Sequence, residues 1–302
     1  MSLIYNKIME RVKMLDRIEL YKQLLIWLYE KANATNIKTD DLEKYFIPEI
    51  EYYKDNYLIR LASSLQNGTS GGMDKVIKFN AENNHLIKEI ICNGNIDEAR
   101  MKYSCWQDIY SKFIDNGIKD NGINVREKKK SEGKKADYST SWEKYSKGLY
   151  DGIIYLSNGG REAITQLCKN PNCEQSLEEK IKIINQFDRK NEIIGLGLAL
   201  VCDWLKECGS YWLAKPDIHI AKVYRVLNGL DETKKSTNEE LKVIKYMYDW
   251  ADEIKNSGID DNMTAYKLDK IIWLICTGEF YLHKNRTIGR NTIINFIKGE
   301  DK

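Results

Sequence analysis

Three prolines in 302 residues leave very little to interrupt a helix, because proline is the residue that most strongly breaks one. Apolar residues meanwhile return at intervals of three and four along most of the chain, the spacing that puts them on one face of a helix. The first such run, from about Leu3 to Lys31, carries Ile4, Ile8, Met9, Val12, Leu15, Ile18, Leu24, Leu25 and Leu28 on one stripe. The fold class that follows is all-α. With 42% hydrophobic residues, the chain is long enough for one large or two medium cores.

The pattern excludes several classes. No apolar run reaches the length that spans a bilayer, and the start MSLIYNKIMERVKM is amphipathic rather than a signal peptide, so a cytoplasmic protein is expected. Seven scattered cysteines do not form a paired framework and are expected to be reduced. A formal net charge of +2 does not by itself advertise nucleic-acid binding. Any DNA footprint has to come from how the basic residues are placed.

The most informative stretch runs from Arg189 to Val226. It reads as the end of one helix, a tight turn at Gly195-Leu196-Gly197, an apolar helix from Leu198 to about Cys208, and a third helix opened by Pro216-Asp217. Glycine suits a backbone that turns sharply or approaches a ligand closely. The amides that start the following helix carry partial positive charge, which favours phosphate.

These residues resemble the helix-hairpin-helix DNA glycosylase superfamily: a Gly-x-Gly turn before an apolar helix, then an aspartate at the start of the next helix. The resemblance implies two helical subdomains with a DNA-binding helix-hairpin-helix at the cleft between them. It implies a duplex DNA partner and a monomer. By residue, the backbone-binding hairpin is Ile194, Gly195, Leu196 and Gly197, and the catalytic aspartate is Asp217. Family members that also cut the strand carry a lysine two residues past the second hairpin glycine; this chain has Ala199 there, which implies a monofunctional enzyme. Lys215 and Lys222 remain alternative amines. His219, two residues after Asp217, faces a different way on a helix. The family's possible monovalent cation maps to carbonyls around Ile194 and Gly197. Its iron-sulfur cluster does not map, since only Cys276 follows Asp217, and no other cofactor is required.

Two further segments extend the resemblance. The polar run from Ser63 to Gly72 reads as an interhelical loop, and it is similar to the segment that glycosylases of this kind insert into the duplex; Gln66 and Asn67 are the plug candidates. In KLDKIIWLICTG, Asp269 and Trp273 stand four apart on one helical face. That helix resembles the one in archaeal-type 8-oxoguanine glycosylases whose Asp and Trp hold the extruded purine. A further pocket tryptophan corresponds to Trp142 or Trp106. On this reading residues 1–140 contribute to the cleft and plug, and residues 141–302 form the glycosylase region with the C-terminal helices.

The lysine-rich segment from Asp120 to Tyr138 reads as a solvated loop able to touch phosphates. A glycosylase for a hypermodified base such as those of phage DNA, a non-catalytic DNA-binding protein, and a helical interaction protein are the alternative functions.

Overall fold

The structure, a computed structural model, describes residues 16–47, 56–68, 73–118, 140–172 and 174–280, with 282–283, 287, 294–295 and 297 near the end. Among these residues the chain is all-helical, as its periodicity predicts. In order the helices are α1 (Arg17–Ala34), α2 (Thr39–Glu43), α3 (Tyr57–Gln66), α4 (Met73–Glu82), α5 (Asn84–Ile90), α6 (Ile96–Lys102) and α7 (Trp106–Asp115). There follow α8 (Ser141–Tyr155), α9 (Arg161–Cys168), α10 (Leu177–Lys190), α11 (Leu198–Glu207), α12 (Ile218–Leu227), α13 (Glu239–Asn256) and α14 (Ala265–Thr277). The run before Asp16, the whole lysine-rich segment from Asp120 to Tyr138, and Thr69 to Gly72 of the polar run lie outside the described residues. No described helix is long and apolar enough to cross a membrane.

The sequence reads as one helix over MDKVIKFNAENNHLIKEII and as another from Asn95 to about Asn121, and each of these is broken in two. Between α4 and α5, Asn83 leaves helical backbone while its side chain bonds the Phe79 carbonyl, a local alternative that asparagine offers the chain. Between α6 and α7, the Asp108 carboxylate accepts from the Ser104 and Cys105 amides. That cap starts a new helix inside the run. Periodicity survives both breaks, so the apolar pattern alone did not show them.

The chain forms two compact units. One comprises residues Met1–Pro48, Asn170–Leu177 and Ser210–Lys302; the other comprises Glu49–Lys169 and Glu178–Gly209. Neither is a continuous half of the sequence, so the division expected near residue 140 is not the one the packing draws.

The first unit packs α1, α12, α13 and α14 around Leu20, Leu24, Leu28, Val223, Met247, Ile254, Ile271 and Ile275. Trp250 is fully buried there and donates its Nε1–H to the Arg17 carbonyl, while Arg17 pairs with Glu253. Arg225 grips Glu239 through Nε and Nη2 at 2.9 to 3.1 Å, fixing α12 to the start of α13.

The second unit packs α3, α7, α8 and α11 around Leu58, Leu61, Phe113, Tyr145, Leu149, Ile153 and Trp204. Helices α3 and α8 cross very closely, since a Cβ on Gly152 would stand 2.0 Å from Leu61 Cδ2. A buried ion pair, Arg60 to Asp203 at 2.8 Å, ties α3 to α11, and Ser64 donates to the same carboxylate oxygen.

Candidate functional site

In the second unit the sequence folds as helix, turn and helix where expected. The turn from Asn191 begins with that residue in the left-handed region at φ 54, and Gly195 follows at φ 86. Ile193 and Leu196 are buried and anchor the turn from below, which leaves Gly197 exposed at the head of α11. Gly197 has ordinary extended backbone, offers no side-chain cap, and faces open space where a Cβ would stand. The start of α11 therefore presents its amides at a bare surface, the geometry that binds an anion.

Helix α8 holds this turn. Asp151 accepts the Ile194 amide at 3.1 Å, and a Cβ on Gly148 would stand 2.6 Å from the Ile194 carbonyl oxygen. Only a residue without a side chain permits that approach. Lys144, one turn earlier, lies across Gly195, where a Cβ would meet its Cε at 3.0 Å. The sequence reading did not single out Lys144, Gly148 or Asp151. Gly148 and Gly152, four apart on one helical face, were the available signal of a close helix crossing.

The cation expected at the hairpin carbonyls fits poorly at Gly197. That carbonyl accepts from the Leu200 and Val201 amides at 2.8 and 3.0 Å, so both its lone pairs serve the helix. Among the described residues, no group of three His, Cys, Asp or Glu side chains is placed to hold a metal.

The plug candidates sit at the end of α3, in the same unit. Gln66 is half-buried and closes the helix; Asn67 is exposed and forms its C-cap. Leu65 packs on the turn side of α8, and a Cβ on Gly68 would stand 3.8 Å from Leu200 Cδ1. The end of α3 and the start of α11 are thus neighbours. Gln66 Oε1 accepts from Asn80 Nδ2 at 2.9 Å, and the same nitrogen donates to the Tyr145 hydroxyl at 3.0 Å.

Trp142 requires a correction. Its ring is 5% exposed and sits among Phe79, Phe113 and Tyr145, with centroids 5.0 to 6.1 Å apart. Such packing leaves no face for a base and makes Trp142 part of the core. Trp106, the alternative, opens α7 half-exposed, in an edge contact with Tyr110.

In the first unit Asp217 is the N-cap of α12. Its Oδ1 accepts from the His219 and Ile220 amides at 2.9 and 3.1 Å. Its Oδ2 has no partner among the described residues, and the carboxylate is only half-buried. Ile218 beside it is 75% exposed. The cap thus pins the carboxylate in one orientation and leaves one oxygen for another task.

Helix α14 packs against α12 and brings the other expected residues of this unit near. Asp269 is 2% exposed and Trp273 half-buried, the reverse of a plain helix with its aspartate in water and its tryptophan in the core. Cys276 reports the neighbourhood electrostatically. Burial pushes its thiol up, the Asp217 charge pushes it further, Lys222 opposes and Asp269 adds. The charges of Asp217, Lys222 and Asp269 thus all act on one buried thiol of α14. The sequence assigns roles to the two carboxylates and offers the lysine as an alternative amine, while Cys276 enters it only as the one cysteine after Asp217.

Comparison of the chain with protein-family models, with curated proteins and with solved structures returns no match.

Proposed function

We propose that this chain is a monofunctional DNA N-glycosylase that hydrolyses the bond between sugar and an extruded damaged or modified base, an 8-oxoguanine-like purine foremost. The observation that carries the reading is Asp217, an N-cap carboxylate held by two amides with Oδ2 left over. Breaking an N-glycosidic bond builds positive charge on the sugar. A fixed carboxylate beside that charge stabilises it without reorganising, and its second oxygen orients and deprotonates an attacking water.

The remaining parts have matching work. The bare amides at Leu198 and Ala199 and the amine of Lys144 suit a backbone phosphate. Trp273, half-buried on α14, is the candidate aromatic surface for a base. Gln66 and Asn67 fill the gap left in the duplex. Ala199 supplies no amine, so water is the nucleophile and the product is an abasic site.

A gel of end-labelled duplexes carrying 8-oxoguanine tests this. Breaks that appear only after alkali support the reading; breaks without alkali would point to Lys215 or Lys222 as a Schiff-base amine, and intact strands under both conditions would contradict it.

A second reading is a DNA-binding protein that does not cut the glycosidic bond. The cap hydrogen bonds favour it, because capping alone accounts for an aspartate at residue 217.

A further inference from the structure

The hydrogen bonds behind Gln66 determine which way its amide faces. Tyr145 is buried, and its hydroxyl donates to the Ala62 carbonyl at 3.1 Å. A hydroxyl has one proton, so toward Asn80 that oxygen can only accept. The Asn80 atom at 3.0 Å must then be its nitrogen. The same nitrogen lies 2.9 Å from Gln66, so the Gln66 atom facing it must be the oxygen. Asn80 is 8% exposed, and its own Oδ1 is buried with no partner among the described residues. Turning the Asn80 amide over would aim an oxygen at two oxygens and free nothing.

We infer that Asn80 is a positioning residue, backed by Tyr145, that holds the Gln66 amide with its nitrogen outward, so that the plug offers the opposite strand donors and no acceptor. The inference rests on the proposed plug role of Gln66 and adds a specificity to it. An outward NH₂ complements an orphaned base whose pairing edge carries adjacent acceptors, as cytosine does with N3 and O2. Guanine presents N1–H and N2–H donors to the same group and is disfavoured. Gln66 Nε2 has no partner among the described residues that would compete for these protons.

Two substitutions of unchanged size reverse the polarity. In Gln66→Glu the outward group is an oxygen, while Asn80 keeps its inward donor bond. In Asn80→Asp the inward partner becomes an acceptor, which draws the Gln66 nitrogen inward and turns its oxygen out. Affinity is measured by fluorescence anisotropy for duplexes with a tetrahydrofuran abasic analogue opposite each of the four bases. Thermal melting of each variant accompanies it.

Wild type is expected to bind the duplex with cytosine opposite roughly three- to tenfold more tightly than that with guanine, the worth of about one hydrogen bond. Gln66→Glu is expected to abolish or reverse that ratio, and Asn80→Asp to shift it the same way. Should Asn80→Asp melt below the assay temperature, Gln66→Glu decides alone. Equal affinity across the four bases, or a cytosine preference unchanged by Gln66→Glu, overturns the inference while leaving the glycosylase reading intact. The expected ratios without base release from any duplex would remove the glycosylase reading and keep the polarised plug. No affinity for DNA overturns both.

Discussion

Asp217 has two jobs that one substitution separates. Asn caps a helix about as well as Asp, so Asp217→Asn keeps both amide bonds and removes the charge. Thermal melting is expected to be little changed, while single-turnover base release falls by about 10² to 10⁴-fold, the usual worth of a positioned acid-base group. Asp217→Ala is expected to lose the cap as well, costing about 1 kcal/mol in urea denaturation. The residue type and place were legible in sequence because Pro216-Asp217 marks a helix start. The cap geometry that leaves Oδ2 over was not, since it depends on the backbone angles of Asp217 itself. Likewise Asp269 and Trp273 were legible as a pair, but which of them is buried is decided by neighbouring helices distant in sequence.

At the scale of elements, the hairpin glycines are not equivalent. Gly195 has positive φ and Lys144 close to its missing Cβ, so Gly195→Ala is expected to cost roughly 1 to 2 kcal/mol of stability. Gly197 has backbone any residue adopts and open space beyond it. Gly197→Ala should leave the denaturation midpoint nearly unchanged yet weaken DNA binding, because the new methyl stands where the backbone phosphate would approach. Equal affinity for DNA in wild type and Gly197→Ala would argue against a hairpin contact. The α12–α13 clamp makes a separate prediction. Burial alone would raise the Glu239 carboxyl, but the Arg225 guanidinium and the Ser236 amide outweigh it and hold the group below its ordinary value. A depressed carboxyl stabilises the fold fully above its unfolded value near 4.5 and loses that contribution as pH falls through the folded value. Urea midpoints should therefore drop with acidification below about pH 4.5. Glu239→Gln should flatten that drop and cost about 1 to 3 kcal/mol at pH 7, since it keeps one acceptor but removes the charge that faces the half-buried Arg225. The positions of α11 and α12 were readable from Gly197 and Pro216. The breaks at Asn83 and at Ser104-Cys105 were not, because a side-chain cap competes with the helix without disturbing the apolar stripe.

For the whole molecule, helix content followed from scarce proline and a three-four apolar rhythm. The partition did not, because the first unit is assembled from both ends of the chain and contacts between such distant segments leave no local signature. A net charge of only +2 bears on the interaction with DNA. Among the groups assigned to a backbone phosphate only Lys144 is charged, so the plot of log affinity against log salt is expected to have a shallow slope of about −1 to −3. A slope of zero would indicate that no phosphate is engaged. The central claim concerns chemistry rather than binding, and it is tested most directly by free-base release. Duplexes carrying 8-oxoguanine, uracil, alkylated purines, modified cytosines or hypermodified bases are incubated with wild type and with Asp217→Asn, and released bases are identified by mass spectrometry. The account predicts a free base, a purine of the 8-oxoguanine kind, from wild type alone, with the strand left unbroken until alkali is added. Tight DNA binding with no base released from any duplex, unaltered by Asp217→Asn, would contradict it.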